Sequence, residues 1–551
     1  MNKERFIDYA LSNIASELVI KNAKIVDVFN GKIIEGNVAV SDGVIIGIGD
    51  YEGKTEYDAK GAYLMPGFID SHIHVESSMV TPSEYARVVM PKGVTTAVCD
   101  PHEIANVCGI NGIKFMMDDA KESPLDFKFM LPSCVPATPF EDAGAVIDAE
   151  MTEEYMNKYD FFGLAEMMNY PGVLFKDDDV LRKISCTDIV DGHAPSLSGK
   201  ELNAYSGSGI LTDHECTSVA EMENEIASGM FALLRCGRMS KEFSEKAAAV
   251  NRYNATRIAF CTDDRNLSDI VKSGTIQNCI VTAVNVGMDV FDAIRAASLN
   301  AARCYRIKNL GAIAPGYIAD MVLANDICPK DIVAVWKSGV LVSENNKALF
   351  EVKTKKHSDA VCNTVNIAPF KPEELVCDFS PDVPVISIDE GSLQTKKINV
   401  NNADGLSHLA VIERHKCTGK IGKCYLDKYN IKGGAIASCI GHDSHNVTVA
   451  GDNADDMAFA VNALGRDGGI AVVSNGKLLA KLELPIAGLI SDKRAEDVIS
   501  AHNEIEKAAK DLCVNPNIDP FMTLAFLSLP VIPELRLTAR GLFDVTKFEF
   551  I

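Results

Sequence analysis

Pro66-Gly67-Phe68-Ile69-Asp70-Ser71-His72-Ile73-His74 decides how the rest of this 551-residue chain reads. An apolar, strand-like run ends in two histidines with one residue between them. On a β-strand, positions i and i+2 point to the same side. His72 and His74 can therefore offer two imidazoles to one metal ion. The end of a strand is where a barrel enzyme keeps its chemistry.

The texture on either side of this stretch differs. Residues 18–64 read as short strands separated by turn dipeptides, Asn30-Gly31 and Asp42-Gly43, which predicts a small antiparallel sheet. From Met65 to about Leu310, apolar runs alternate with helix-like segments. The runs are Thr95–Cys99, Phe127–Leu131, Phe161–Ala165, Ile189–Val190 and Ile258–Cys261. Such alternation over ~250 residues is what a (β/α)8 TIM-like barrel requires. Short strands return in Gly311–Leu323 and Ile332–Trp336, as the second half of the first sheet. The expected class is α/β, with a small β-sandwich domain built from both flanks of the barrel and an additional C-terminal α/β domain. The expected boundaries are 1–64 and 311–360 for the β domain, 65–310 for the metal-binding barrel, and 386–551 for the last domain. The Pro-, Lys- and Asp-rich stretch 352–385 reads as a linker, bounded at 361–385 where the β domain is taken to end at 360.

Composition narrows the function. Hydrophobic residues make up 47% and charged residues 24%, as in a soluble globular protein. The net charge of −22 disfavours nucleic acid or an anionic membrane as partner, since phosphate binding needs a basic face. No stretch approaches the ~18 apolar residues of a membrane span, and Met1–Leu18 lacks the pattern of a signal peptide. The sixteen cysteines are scattered with no CxxC pair, so reduced thiols in the cytoplasm are expected. Cys99, Cys216 and Cys261 fall beside the candidate site and read as buried filler, or as groups that make the site sensitive to oxidation or metals.

The histidines cluster. After His72 and His74 come His102, then His193 in Ile189-Val190-Asp191-Gly192-His193, then His214 in Ile210-Leu211-Thr212-Asp213-His214. Four of the five end apolar runs, and neutral imidazole is the commonest ligand of a catalytic first-row metal. Two carboxylates complete the set. Glu166 ends Phe161-Phe162-Gly163-Leu164-Ala165, and Asp263 ends Ile258-Ala259-Phe260-Cys261-Thr262. A carboxylate between two cations can bridge them, and one on the opposite wall can bind metal and move a proton. Asp100, His102 and Glu103 follow the second run. They read as a surrounding shell that orients ligands or protonates a substrate ring, as an extra metal site, or as a polar loop.

The order His-x-His, acid, His, His, Asp resembles the amidohydrolase superfamily, whose entry and exit signatures are similar to Pro66–His74 and Gly311–Leu323. It narrows to the bacterial adenine deaminase family on His74-Val75-Glu76-Ser77-Ser78-Met79, Asp100-Pro101-His102-Glu103, Leu164-Ala165-Glu166-Met167-Met168-Asn169, Asp191-Gly192-His193-Ala194-Pro195, Thr212-Asp213-His214-Glu215 and Gly441-His442-Asp443-Ser444-His445-Asn446. Glu166 stands where many superfamily members carry a carboxylated lysine, a feature the adenine deaminases share. The resemblance implies a metal-dependent hydrolase that converts adenine to hypoxanthine and ammonia by attack of a metal-activated hydroxide at C6. It implies a binuclear divalent centre, manganese or iron favoured and zinc a third candidate. His72, His74, Glu166 and Asp263 would hold one cation, and Glu166, His193 and His214 the other, with Asp263 and Glu166 as catalytic groups. It also implies a cytoplasmic homodimer or larger assembly in purine salvage.

Two other readings compete. One is an amidohydrolase that opens a cyclic amide or deaminates a different heterocycle. The other is a catalytically silent scaffold, which the intact ligand set argues against. Tyr205-Ser206-Gly207-Ser208-Gly209 reads as a flexible loop that could frame the purine, and His442 with His445 as an interface or site-covering loop rather than a metal site.

Overall fold

Eight short parallel strands follow from the quoted stretch in this computed structural model, which describes residues 1–236, 240–353 and 358–551. They are Phe68–Ile73 (β1), Val94–Cys99 (β2), Asp126–Leu131 (β3), Gly163–Met167 (β4), Val190–Gly192 (β5), Thr212–Asp213 (β6), Phe231–Arg235 (β7) and Ile258–Cys261 (β8). β1 to β5 pair in parallel and in order, as do β6 to β8. The two arcs join where Leu211 N donates to Val190 O at 2.9 Å. They join again where Asp263 N donates to His72 O at 2.9 Å, beside a parallel bridge between Ile73 and Asp263. Every residue of β1 and β2 is buried. Both faces of these strands are covered, as in a parallel barrel, and the polar Asp70, Ser71, His72, Thr95 and Thr96 are buried along with the apolar residues.

The seam between β1 and β8 has a second tie. Thr262 donates to the Asp70 carboxylate through its main-chain N–H at 3.0 Å and through its hydroxyl at 2.5 Å. β7 was not among the expected runs, although Phe231-Ala232-Leu233-Leu234-Arg235 is apolar and ends in a charge.

The flanking strands form one nine-stranded sheet. Tyr63–Pro66, which leads into the barrel, pairs antiparallel with Met321–Ala324, which follows it, Met321 opposite Pro66. Asp42 (φ 49°) and Gly43 (φ 74°) supply the two positive-φ positions that a tight hairpin between Lys32–Ser41 and Val44–Ile48 requires. Ile25, Leu64, Leu323 and Trp336 form the core of this sheet.

Residues 385–483 build an eight-stranded sheet that is antiparallel except where Val385–Ile388 runs parallel to Ile421–Asp427. The helix Ala454–Leu464 lies against it. The helix Ala495–Asp511 buries Ala495, Val498, His502, Ile505 and Ala509, a 3–4 spacing that puts one stripe inward. In the stretch expected as a linker, Val361, Val365 and Leu375 are buried. Val365 and Leu375 pack in one cluster with Val461 and Leu464. Residues 354–357, the part of that stretch with His357, lie outside the described residues. All sixteen cysteines are unpaired thiols. No helix among the described residues is long and apolar enough to cross a membrane.

The last domain docks on the barrel through Arg540. Its guanidinium grips both oxygens of Asp142 at 3.0 Å and the carbonyls of Pro139 (2.8 Å) and Glu141 (2.6 Å). Lys420 joins Asp142 at 2.9 Å. Burial pushes the Asp142 carboxyl up, but Arg540 and Lys420 outweigh it and hold it below the usual range. Such a group adds stability above the ordinary carboxylate pKa and loses it as the pH falls through the depressed native value. Arg540→Ala is expected to lower unfolding stability by about 1–2 kcal/mol at neutral pH, since charged hydrogen bonds in a partly exposed setting are worth that much. The deficit should shrink in acid. An unchanged urea midpoint at pH 7 would show that this docking contact adds nothing.

Candidate metal centre at the barrel mouth

Chain ends of the barrel strands converge on one buried carboxylate, Glu166 in β4. Its Oε1 lies 3.4 Å from His74 Nε2, 3.4 Å from His102 Nδ1 and 3.9 Å from His72 Nε2. Its Oε2 lies 2.7 Å from His193 Nδ1 and 3.2 Å from His214 Nε2. One oxygen thus faces each histidine group, the arrangement a bridging carboxylate needs. The period-2 geometry of β1 puts the Nε2 atoms of His72 and His74 only 3.2 Å apart. Asp263 Oδ1 faces both, at 3.6 and 3.2 Å. The His72 ring stacks on His214 at 4.1 Å.

Asp263 reaches this position through its backbone. Its φ of 54° lies in the left-handed region, which turns the chain sharply after β8. Aspartate tolerates that region better than most side chains. Its other oxygen, Oδ2, is 2.5 Å from Arg235 Nη1 at the end of β7, and the same nitrogen is 2.6 Å from Glu215 Oε1. Arg235 is a neighbour of the site that the sequence reading missed, while Glu215 and Asp191 stand in quoted motifs without a role assigned to them. The signal available was an apolar run closed by a charge, which marks β7 as it marks β4.

Surrounding groups set the tautomers. His74 Nδ1–H donates to the Asp100 carbonyl at 2.9 Å, which leaves the Nε2 lone pair for the centre. His72 Nδ1 faces Asp191 at 3.6 Å, and Asp191 accepts from Tyr305 and Thr212 at 2.9 and 2.8 Å. His102 Nδ1 is 3.0 Å from Asp100 Oδ2, and His102 Nε2 is 3.4 Å from Glu103. Glu103 is held in turn by His442 and His445 of the last domain. All of Asp100, His102 and Glu103 are buried. Tyr205 departs from its expected place in a flexible loop. It is fully buried within the helix Gly199–Gly207, accepts from His193 N at 2.9 Å and donates to Met167 O at 2.8 Å. The ring's burial and its two hydrogen bonds outweigh the glycines that follow it.

The donor set fits a divalent cation. Burial pushes the carboxyls of Glu166 and Asp263 up, yet the imidazoles around the first and Arg235 with His72 around the second hold both well below the usual range. Burial pushes His74 down, and Asp263 and Glu166 reverse it. Imidazole nitrogens and carboxylate oxygens of the sets His72–His74–Asp263, His72–Glu166–His214 and His74–Asp100–His102–Glu166 lie within 4.8 Å of one another. His214 Nδ1 and Asp100 Oδ1 are buried without a hydrogen-bond partner among the described residues. Mixed nitrogen and oxygen donors suit manganese, iron or zinc.

A parallel barrel with its acids and imidazoles gathered at the strand ends defines a metal-type hydrolase site, and the amidohydrolase family model matches residues 63–342. The adenine deaminase C-terminal domain model matches residues 387–549. The adenine deaminase of Clostridium acetobutylicum is 48% identical across all of this chain and 99% of its own length. That of Nitratidesulfovibrio vulgaris is 44% identical, over 99% of this chain and 97% of its own. Adenine deaminase 2 of Carboxydothermus hydrogenoformans is 43% identical, over 99% and 98%. The chain belongs to the adenine deaminase family.

Proposed function

We propose that this protein hydrolyses adenine to hypoxanthine and ammonia. The observation that carries the reading is Glu166, one oxygen toward each histidine group, with Asp263 fixed opposite. Two divalent cations, manganese or iron favoured, would be held by His72, His74, Glu166 and Asp263 and by Glu166, His193 and His214, and would make a water acidic enough to react near neutral pH.

The chain's own groups do the rest. Asp263 accepts the proton of the attacking water at Oδ1 and returns it to the departing amine, a transfer that needs hydrogen-bond reach. Arg235 keeps Oδ2 occupied, so Oδ1 stays turned to the centre. Glu166 sets the spacing of the two histidine groups. Asp100 and Asp191 fix the imidazoles behind them. Sixteen unpaired thiols support a reducing, cytoplasmic setting, and the family resemblance supports a homodimer or larger assembly acting in purine salvage.

Two measurements test this. Protein loaded with manganese should release hypoxanthine and ammonia from adenine in equal amounts. Turnover of dihydropyrimidines or cytosine, with none of adenine, would refute the substrate. Arg235→Lys should lower kcat/KM roughly 10- to 100-fold with bound metal unchanged, because a lysine cannot hold two carboxylates from one rigid planar group. Wild-type kcat/KM in that variant would remove Arg235 from the mechanism.

A further inference from the structure

A cavity lies between the barrel mouth and the last domain. The barrel contributes Met79, Glu103 and Asp264 to its lining, and the last domain contributes His442, Leu489 and Phe526. Asp264 follows Asp263 directly and accepts from the Ser77 hydroxyl, so the cavity adjoins the candidate metal centre. Its lining mixes apolar side chains such as Met79, Leu489 and Phe526 with the polar Glu103, Asp264 and His442.

The loop around His442 is held with unusual completeness. Glu103 takes His442 Nδ1 on one oxygen and His445 Nε2 on the other. His445 Nδ1 accepts from Gly441 N at 3.2 Å, which leaves the His445 proton on Nε2 for Glu103. The His442 ring is also stacked on Phe526, centroids 4.4 Å apart and planes 24° from parallel. With Nδ1 committed to Glu103, His442 Nε2 has no hydrogen-bond partner among the described residues, and the ring lines the cavity. A rigidly held imidazole with one nitrogen unspent, at the wall of a pocket beside the reacting centre, is a recognition group.

We infer that His442 hydrogen-bonds a ring nitrogen of the aminopurine through Nε2, with Phe526 as part of the same flat wall, so that the last domain supplies half of the substrate site. Glu103 and His445 are positioning residues that act through His442. The inference rests on the proposed deamination of adenine and names the residue that reads its ring. It also gives the last domain a role in binding substrate.

The test uses the metal-loaded full chain and compares wild type with His442→Phe and His442→Gln on adenine, 1-, 3- and 7-deazaadenine and 9-methyladenine. Metal content is measured in each. His442→Phe should lower kcat/KM for adenine about 100-fold, chiefly through KM, with wild-type metal content. His442→Gln, which keeps a hydrogen-bonding group, should recover part of the loss. On the one analogue that lacks the partner atom, wild type should already show the deficit and His442→Phe should add nothing to it. An equal loss on all five compounds, or no loss on any, overturns the role of His442 while leaving the deaminase reading in place. Failure of the wild type to turn over adenine overturns that reading and this inference with it.

Discussion

Asp263→Asn lowers kcat on adenine by about 10^3-fold or more while the barrel stays folded. The amide has the same shape but cannot accept the water proton, and general acid–base transfer alone contributes 10^2- to 10^4-fold. Oδ1 also loses the charge that faces His72 and His74 at 3.6 and 3.2 Å. The seam of the barrel is spared, because its bond to His72 O comes from the Asp263 main-chain N–H, and Asp70 still ties Thr262. Arg235 keeps Glu215 as a partner. Turnover, melting temperature and metal content together decide the matter. A variant with more than a tenth of wild-type turnover would remove Asp263 as the proton carrier.

Glu166→Ala has a different signature, because the loss falls on binding before it falls on chemistry. Among the described residues, Glu166 is the one carboxylate within 4 Å of all five clustered histidines, His72, His74, His102, His193 and His214. Without it five imidazoles crowd a buried site with far less negative charge. Metal retained after dialysis should fall by at least one equivalent per chain, and deamination should drop about 10^4-fold. The two effects should appear together, since removing an anionic ligand weakens cation binding directly. A Glu166→Ala protein that keeps its full metal complement would overturn the bridging role, whatever its activity. Glu166→Gln separates charge from shape, as it preserves the side-chain volume and loses the anion.

Much of this site can be read from short stretches. His72 and His74 follow from strand periodicity alone. His193, His214, Glu166 and Asp263 all sit where an apolar run meets a polar residue, which in a barrel means the mouth. The structure places the four histidines within 4 Å of Glu166, and Asp263 within 4 Å of His72 and His74. What stays hidden is anything set by distant chain segments. Glu103 meets His442 and His445 across 339 and 342 residues, and no local pattern marks that contact. Arg235 is hard to single out, because a five-residue strand ending in a cation resembles many surface segments. The glycines around Tyr205 suggest a loop, whereas its buried ring is fixed by hydrogen bonds to His193 N and Met167 O. The buried Val361, Val365 and Leu375 were masked by polar neighbours in a stretch whose average composition is that of a connector.

The sheet shared by the two flanks of the barrel sets an order of events during synthesis. Tyr63–Pro66 pairs with Met321–Ala324, so its strand edge has no partner until the barrel between them has been made. At the ribosome that is roughly 250 residues, or roughly 12–50 s of elongation. For that interval the nascent chain presents an open strand edge, of the kind that recruits other chains. This sheet therefore closes only after the barrel between its halves has been made, and holding its open edge safe in the meantime is work for the barrel folding quickly behind it, or for a chaperone.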